Sequence, residues 1–390
     1  MSKIKKIFSA FYQKALDKHE SKIVSDILDM NSDPFECITQ PCLKKIEKIA
    51  FVVGTIQTFS GGHTSMLRIG TLFAKKGIDV HYVCFKSNDN SKMEFNARKN
   101  LSSVQGKFIN YNDALSMDFD VCVATSWESV YWSKALNGYK AYFVQDYEPY
   151  FFKLNERYLL AKYTYELGYH IISLGRWNIE QIKNSCNING KIDYVDFPYE
   201  PSEYKEFKRD YNNYSSKRTV KLAIYSKEDG KRIPNLMQGI LKRSKKALSQ
   251  KGIELDITFF GFNKNYKVTV GNNVGKLNKQ QMTELYNASD FGMVASMTNI
   301  SLVPYEMLAT GLPVIEFKNG SYTSFLPEDS AILIDFNPKT FANSILSYLN
   351  EPKKIINMVD RGKEALASLS WKQTADEFLA ILEKSINSEE

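Results

Sequence analysis

The chain has 390 residues, of which 43% are hydrophobic and 24% charged, as is ordinary for a water-soluble protein of two domains or slightly more. The formal net charge of +7 is modest, and no basic-and-aromatic nucleic-acid-binding module accompanies it. No run approaches the ~18 apolar residues of a membrane span. Nucleic-acid-binding and integral membrane proteins are therefore disfavoured. We expect a cytoplasmic, reduced protein.

The charge is concentrated at the amino terminus. Residues 1–18 contain five lysines and one aspartate, a net charge of +4. Within this segment Ile4, Ile7, Phe8 and Phe11 fall on one helical face. A basic amphipathic helix of this kind can lie on an anionic membrane surface. It can equally pack on the body of the protein, and both alternatives stay open.

Strand and helix patterns alternate along the rest of the chain, as in doubly wound α/β domains. A first series has predicted strands at 46–53, 80–85, 119–124, 141–144 and 193–195. The polar segment 202–218 interrupts the pattern. A second series has predicted strands at 220–225, 255–260 and 331–334 and ends in three helices up to residue 386. Two parallel-sheet domains with ligands at the carboxyl ends of their strands are therefore predicted.

A glycine-containing loop, Gly54–His63, follows the first predicted strand. Gly61 and Gly62 directly precede a helix, where backbone without side chains lets a ligand approach closely. The loop lacks the G-x-G-x-x-G spacing of dinucleotide-binding proteins, which argues against a dehydrogenase. A plain strand-to-helix turn is the alternative.

The segment 296–316, SMTNISLVPYEMLATGLPVIE, predicts a loop, a helix and a short strand. Ser301 is expected to cap a helix that starts at Leu302, and Pro304 is tolerated in its first turn. The free N–H groups at that end suit a phosphate. Glu306 lies on an apolar helix and therefore needs a hydrogen-bonded partner.

This segment resembles the donor-site signature of the retaining glycosyltransferase family 4. The signature has two glutamates separated by seven residues, on a loop and helix followed by a Gly-x-Pro turn. Glu306 takes the second position, and Thr298 stands where the first glutamate is expected. The resemblance implies that Glu306 holds the ribose hydroxyls of a nucleotide, and it leaves the sugar-side role of Thr298 open. A salt-bridged structural glutamate is the alternative.

The resemblance implies an α/β protein of the GT-B fold, with two Rossmann-like doubly wound domains that face an interdomain cleft. The donor-binding residues that it implies are Gly61, Gly62, His63, Thr298, Asn299, Ser301, Leu302 and Glu306.

Metal-independent GT-B enzymes stabilise the departing diphosphate with an arginine and a lysine. The resemblance assigns these catalytic roles to Arg232 and Lys276, where each positive charge would offset negative charge on the leaving group. Lys227 and Lys231 are alternatives to Arg232. The five cysteines and four histidines show no metal-ligand spacing, so neither a metal nor another cofactor is expected.

The motif VQDYEPYFF, residues 144–152, resembles rhamnosyltransferases of bacterial surface-glycan assembly. Gln145, Tyr147 and Glu148 are predicted to contact the acceptor or a sugar, and Asp146 is predicted to be catalytic. Core packing is the alternative for the aromatic side chains of the motif.

The sequence patterns and these resemblances together predict four regions. They are an N-terminal basic amphipathic extension (1–44), an N-terminal Rossmann-like acceptor domain (45–210), a C-terminal Rossmann-like nucleotide-sugar donor domain (211–370) and a C-terminal helix packing back on the N-terminal domain (371–390).

The predicted function is metal-independent, retaining hexosyl transfer, moving L-rhamnose from dTDP-L-rhamnose to a cell-surface glycan or lipid-linked acceptor. The protein is expected to be peripheral on the inner face of the membrane. A GT-B transferase that uses a UDP-hexose is one alternative. A non-catalytic glycosyltransferase-like partner that binds glycan or protein is the other, supported by Thr298.

Overall fold

The structure is a computed structural model that describes residues 18, 20–30, 33–200, 202–228 and 230–386. The predicted amphipathic helix of residues 1–18 lies outside the described residues except for Lys18. The chain forms two compact units. The first comprises the described residues up to Leu174, Asn178–Val195 and the residues from Ala375 onward, and the second comprises Gly175–Trp177 and Asp196–Thr374.

In the described part of the first unit, all neighbouring strands of a seven-stranded sheet pair in parallel. The strands are β1 (Lys48–Val53), β2 (Asp79–Cys84), β3 (Lys107–Asn110), β4 (Asp118–Ala124), β5 (Asn137–Val144), β6 (His170–Leu174) and β7 (Ile192–Val195). Their order across the sheet is β3-β2-β1-β4-β5-β6-β7.

The helices of this unit are α1 (residues 20–30), α2 (Gly61–Lys75), α3 (Asn90–Asn100), α4 (Tyr111–Ala114), α5 (Trp127–Ser133), α6 (Glu156–Tyr163), α7 (Arg176–Ser185) from Asn178 onward and α13 (Trp371–Lys384) from Ala375 onward. Continuous apolar runs such as Ile49–Val53 are buried, as expected for parallel strands covered on both faces. The ring of Phe378 in α13 lies 5.8 Å from that of Phe73 and 5.5 Å from that of Phe143. The C-terminal helix therefore contributes to the core of the first unit.

The second unit contains a six-stranded parallel sheet with the order β10-β9-β8-β11-β12-β13 in its described part. The strands are β8 (Thr219–Tyr225), β9 (Glu254–Phe260), β10 (Asn272–Asn273), β11 (Phe291–Met293), β12 (Val314–Phe317) and β13 (Ile332–Ile334). The helices are α8 (Pro234–Ser249), α9 (Lys279–Ala288), α10 (Leu302–Ala309), α11 (Pro338–Asn350) and α12 (Pro352–Leu366).

Both sheets reverse their strand order beside their first strand. Strand β1 lies between β2 and β4, and β8 lies between β9 and β11. Because all strands are parallel, the loops that follow them meet at one edge, which we call the carboxyl edge. A crevice opens there at the reversal, and it is the usual ligand site of such sheets.

The predicted strands occur within a few residues of their expected bounds, but several elements were missed. Helix α3 buries only Met93 and Ala97, so its apolar period is weak. Strand β11 has only three residues and contains Gly292. A Cβ atom on this glycine would lie 2.4 Å from Sδ of Met307, so α10 packs directly on the backbone of β11. Within the described residues, no helix is long and apolar enough to cross a bilayer.

Candidate active site

Arg232 lies at the carboxyl edge of the second sheet, in the loop that joins β8 to α8. Its side chain is 4% exposed, and Nη1 donates a hydrogen bond to the carbonyl oxygen of Ala295 over 3.1 Å. Ala295 follows β11, the strand on the other side of the reversal. The arginine therefore joins the two loops that border the crevice of this sheet.

A buried carboxylate, Glu316 in β12, lies in the same network. It accepts hydrogen bonds from the Ser296 backbone N–H (3.0 Å) and hydroxyl (2.6 Å). Burial raises the pKa of Glu316 to about 7, opposed by the two Ser296 hydrogen bonds and the charge of Arg232. Glu316 was not among the predicted functional residues, although a lone carboxylate in the apolar run VIEF is a signal visible in the sequence.

The loop that carries Thr298 and Asn299 is fastened from a second side. The Ser321 backbone N–H donates to the carbonyl oxygen of Ser296 over 2.7 Å, and its hydroxyl donates to the carbonyl oxygen of Thr298. Thr298 and Asn299 are buried. Glu316 of β12 and Ser321 of the loop that follows it therefore hold the backbone at the start of the predicted donor segment in place.

The capping role predicted for Ser301 is wrong. Ser301 occupies the N-cap position of α10, but its side chain makes no capping hydrogen bond. A cap accepts from the second or third helical N–H, and here the third helical residue is Pro304, which has no N–H. The proline that suits the first turn thus removes one of the cap's usual donors.

Several buried polar atoms near this carboxyl edge have no hydrogen-bond partner among the described residues. They include Oγ of Ser226, which follows β8, Nε of Arg232 and Oγ of Ser301. Unsatisfied buried polar groups are rare, because each costs about 1–3 kcal/mol. A polar ligand such as a phosphate, bound at this edge, would supply the missing partners.

Glu306 lies in the second turn of α10 and is partly buried. The hydrogen-bonded partners that the sequence required are hydroxyls, because Tyr286 donates over 3.2 Å and Tyr204 also bonds the carboxylate. Burial raises the pKa of Glu306 to about 7, and these two hydrogen bonds oppose the shift. The nearby Lys279 forms its ion pair with Glu203, over 3.6 Å.

Lys276 lies at the same edge, in the loop that follows β10, and it is exposed. The preceding Gly275 has a left-handed φ of 86°, and its carbonyl oxygen accepts a hydrogen bond from the N–H of Gly261 over 2.9 Å. Gly261 directly follows β9. The second sheet therefore brings Arg232, Lys276 and Ser301 to one edge from three separate parts of the chain.

In the first unit, the two predicted glycines begin α2. A Cβ atom on Gly61 would meet no atom within 4 Å, and one on Gly62 would make ordinary contact with the Gln145 side chain at 3.5 Å. Neither glycine has a left-handed φ. The fold itself therefore does not require glycine at either position, whereas close approach of a ligand would. The contact also brings Gln145 next to the glycine loop.

His63, in the first turn of α2, folds back on the preceding loop. Its Nδ1 accepts the backbone N–H of Gln57 over 3.0 Å, and burial lowers the pKa of the imidazole. The neutral imidazole of His63 therefore orders the loop between β1 and α2.

The motif after β5 is mostly enclosed. Tyr147 is fully buried and its ring stacks on Tyr165 at 5.5 Å, which favours the core-packing alternative for this residue. Both carboxylate oxygens of Glu148 accept hydrogen bonds, from the Trp127 N–H (3.1 Å) and the Tyr142 hydroxyl (3.0 Å). Burial raises the pKa of Glu148 to about 7.

Asp146 is 8% exposed, and its Oδ1 accepts the N–H of Tyr147 over 3.0 Å. The catalytic role assigned to Asp146 and the sugar contacts assigned to Gln145 and Glu148 stay predictions.

Two non-glycine residues in the described chain have a left-handed φ. They are Phe59 (56°) in the loop from β1 to α2, and Ile233 (39°) in the loop from β8 to α8. Each such residue costs about 1–3 kcal/mol, and such strain concentrates at functional sites. The two occupy corresponding loops, each after the first strand of its sheet.

No protein-family model and no curated protein matches this sequence. Solved structures do. The sucrose-phosphate synthase of Thermosynechococcus elongatus matches with a TM-score of 0.66 and 12% identity, over 88% of this chain and 100% of that chain. HepE of Anabaena matches with a TM-score of 0.66 and 10% identity, over 87% of this chain and 100% of that chain. TarM matches with a TM-score of 0.67 and 11% identity, over 88% of this chain and 99% of that chain.

The fold is GT-B. At 10–12% identity the likeness concerns the fold alone, and it confirms the predicted class of two Rossmann-like parallel-sheet α/β domains. The assignment to family 4 and the likeness to rhamnosyltransferases stay predictions.

The raised pKa of Glu316 predicts how stability depends on pH. The folded-state pKa of Glu316 lies above the ordinary value of 4.5. The contribution of this group to the free energy of unfolding is therefore complete below pH 4.5 and is lost as pH rises through about 7. One such group lowers the free energy of unfolding by about 1.4 kcal/mol per pH unit in this window. We expect Glu316→Gln to reduce the slope measured by urea unfolding, whereas Glu284→Gln, an exposed control in α9, should not. An unchanged slope in Glu316→Gln would contradict the buried titration.

Proposed function

We propose that this protein is a glycosyltransferase that uses a nucleoside-diphosphate sugar. The observation that carries the proposal is Arg232, which is held across the reversal of the second sheet and whose Nε has no partner among the described residues, at the same edge as the uncapped start of α10. Guanidinium N–H groups and helix N-terminal amides are the donors that bind phosphate oxygens. A diphosphate is therefore the ligand chemistry that suits this edge.

In the proposed reaction, the bond between the sugar's anomeric carbon and the diphosphate oxygen breaks. Negative charge grows on the leaving diphosphate, where Arg232 and Lys276 stabilise it more strongly than in the ground state. The Ser301 and Leu302 amides hold a phosphate. Glu306 lies five residues further along α10, about 7.5 Å along the helix axis, where it accepts the ribose hydroxyls.

The acceptor hydroxyl attacks from the face that the diphosphate leaves, so the anomeric configuration is retained, and the leaving diphosphate takes the hydroxyl proton. In the first unit, Asp146 is the proposed catalytic residue, Gln145, Tyr147 and Glu148 are the proposed contacts to the sugar or acceptor, and the Gly61–His63 loop is proposed to bind the donor. No cofactor takes part. The mechanism needs no metal, because the positive charges come from side chains.

The donor that we propose is dTDP-L-rhamnose, on the evidence of the motif at residues 144–152, and the acceptor is a cell-surface glycan or lipid-linked sugar. A UDP-hexose is the second candidate, because HepE has been solved with UDP and glucose and with UDP-glucose. Titration of both donors and of free dTDP and UDP in a thermal-shift assay tests the proposal. A bound ligand at a hundredfold excess over Kd stabilises by about 2.7 kcal/mol. Stabilisation by none of the four would support a non-catalytic partner instead.

Glu306→Gln should weaken sugar-nucleotide binding by about 1.5–3 kcal/mol, the range for hydrogen bonds to charged groups. Because the pKa of Glu306 is about 7 and the carboxylate is the accepting form, affinity in the intact protein should fall as pH drops through 7. This dependence should be absent in Glu306→Gln when calorimetry is repeated between pH 6 and pH 8. Unchanged affinity combined with a large loss of thermal stability would assign Glu306 a structural role.

Lys276→Ala should lower kcat with little change in thermal stability, because the side chain is exposed and the charge that it offsets grows in the transition state. Lys251→Ala is a matched control, since this exposed lysine precedes β9 at the opposite edge of the same sheet. Full activity of Lys276→Ala would remove the assignment. Donor turnover should also persist in EDTA, and dependence on Mg²⁺ or Mn²⁺ would overturn the metal-independent mechanism.

The proposed peripheral membrane location rests on residues 1–18. Deleting them removes a net charge of +4, and anionic lipid contributes about 1 kcal/mol per nearby basic residue. Sedimentation with anionic vesicles should therefore fall sharply on deletion and should be salt-sensitive in the intact chain. Activity on a short soluble acceptor should persist. If the intact chain ignores the vesicles and the deletion variant unfolds, the segment is a packing element.

A further inference from the structure

Phe59 is the residue of the glycine loop whose side chain the fold does not explain. Its ring is 74% exposed, so burial does not stabilise it there. Its φ of 56° lies in the left-handed region, which a bulky residue rarely adopts and glycine adopts freely. Neither packing nor backbone preference therefore favours phenylalanine at this position.

The backbone around Phe59 is nevertheless held firmly by one stripe of α3. The N–H of Ile56 donates to Sδ of Met93 (3.2 Å), and Nδ2 of Asn96 donates to the carbonyl oxygen of Ile56 (2.8 Å). Asn100 donates from Nδ2 to the carbonyl oxygen of Gln57, over 2.7 Å. Its Oδ1 accepts the N–H of Ser60, over 2.9 Å.

These contacts have a common origin in the sequence. Met93, Asn96 and Asn100 are spaced by three and four residues, so they share one face of α3. From α2, His63 accepts the N–H of Gln57. The loop is thus fixed on both sides of Phe59, and a ligand that binds the ring would order little further backbone.

The neighbours of Phe59 are polar. Gln57 and Thr58 are exposed and Ser60 is partly exposed. A lipid or protein docking surface needs a contiguous apolar patch, and along the chain Phe59 stands alone between hydrogen-bonding side chains. A pyranose ring does suit it, because its C–H face packs on an aromatic ring while its hydroxyls reach polar neighbours.

From this geometry we infer that Phe59 is a stacking platform for a sugar ring of the acceptor. The inference rests on the proposed function. Phe59 precedes Gly61 by two residues, so its backbone lies within about 7 Å of the loop proposed to face the donor. A glycosyl unit stacked on Phe59 would therefore lie next to the Gly61–His63 loop of the first unit.

Saturation-transfer NMR with methyl α-L-rhamnoside and methyl α-D-glucoside tests the inference on the full chain. We expect transfer to the ring protons of at least one glycoside, retained in Phe59→Trp. In Phe59→Gly the affinity should fall by roughly 2–10-fold, the equivalent of one aromatic contact. Phe59→Gly should not unfold, because glycine relieves the left-handed φ, and its Tm is measured to establish this.

Phe95→Ala is the matched control. Phe95 is also an exposed aromatic of the first unit, 59% exposed, but it lies in ordinary helical backbone in α3. Equal transfer in Phe59→Gly and the intact chain, or an equal loss in Phe95→Ala, would overturn the inference. So would loss of phosphatidylcholine-vesicle binding in Phe59→Gly with the glycoside signals unchanged. Thermal stabilisation of the same variants by sugar nucleotides is measured separately. Failure of the proposed donor binding can therefore be distinguished from failure of sugar stacking on Phe59.

Discussion

Parallel pairing of the strands is the constraint on which the candidate functional residues of each unit depend. Since every strand in each sheet runs in the same direction, the loops after the strands must meet at one edge, and reversal of strand order opens a crevice there. Arg232 and Lys276 are 44 positions apart in the sequence, yet both lie at the carboxyl edge of the second sheet. In the first sheet the same constraint brings Gln145, which follows β5, against Gly62, which follows β1.

Buried charged side chains then fix the loops at the carboxyl edge of the second sheet. Arg232 and Glu316 would each be costly to bury alone, and the structure offsets that cost with hydrogen bonds to Ala295 and Ser296. Those bonds also fix the loop that carries Thr298. If a diphosphate binds there as proposed, the donors of this network need not reorganise, as electrostatic stabilisation of a transition state requires.

Backbone strain marks the corresponding loop of each sheet. Phe59 and Ile233 adopt left-handed conformations in the loop after β1 and in the loop after β8. In the first case three side chains of α3 and His63 hold the loop, and in the second the adjacent Arg232 is fixed to Ala295. Strain that is maintained by surrounding contacts is a feature of sites that present side chains to ligands.

Hydrophobic patterning by itself determined the alternation of strands and helices and hence the two parallel-sheet domains, because strands buried on both faces read as apolar runs such as Ile49–Val53. The same patterning placed the glycine loop between a strand and a helix, whereas the predicted donor segment was identified by its resemblance to a glycosyltransferase signature. It did not reveal α3 or β11, since a helix that buries only Met93 and Ala97 and a three-residue strand have almost no period. Only the tertiary structure decided that Tyr147 is core, that Glu306 is held by two tyrosines and that Phe59 is exposed. Each of these depends on which donors and surfaces residues distant in the sequence bring within hydrogen-bonding or packing distance, and local sequence does not specify those distances.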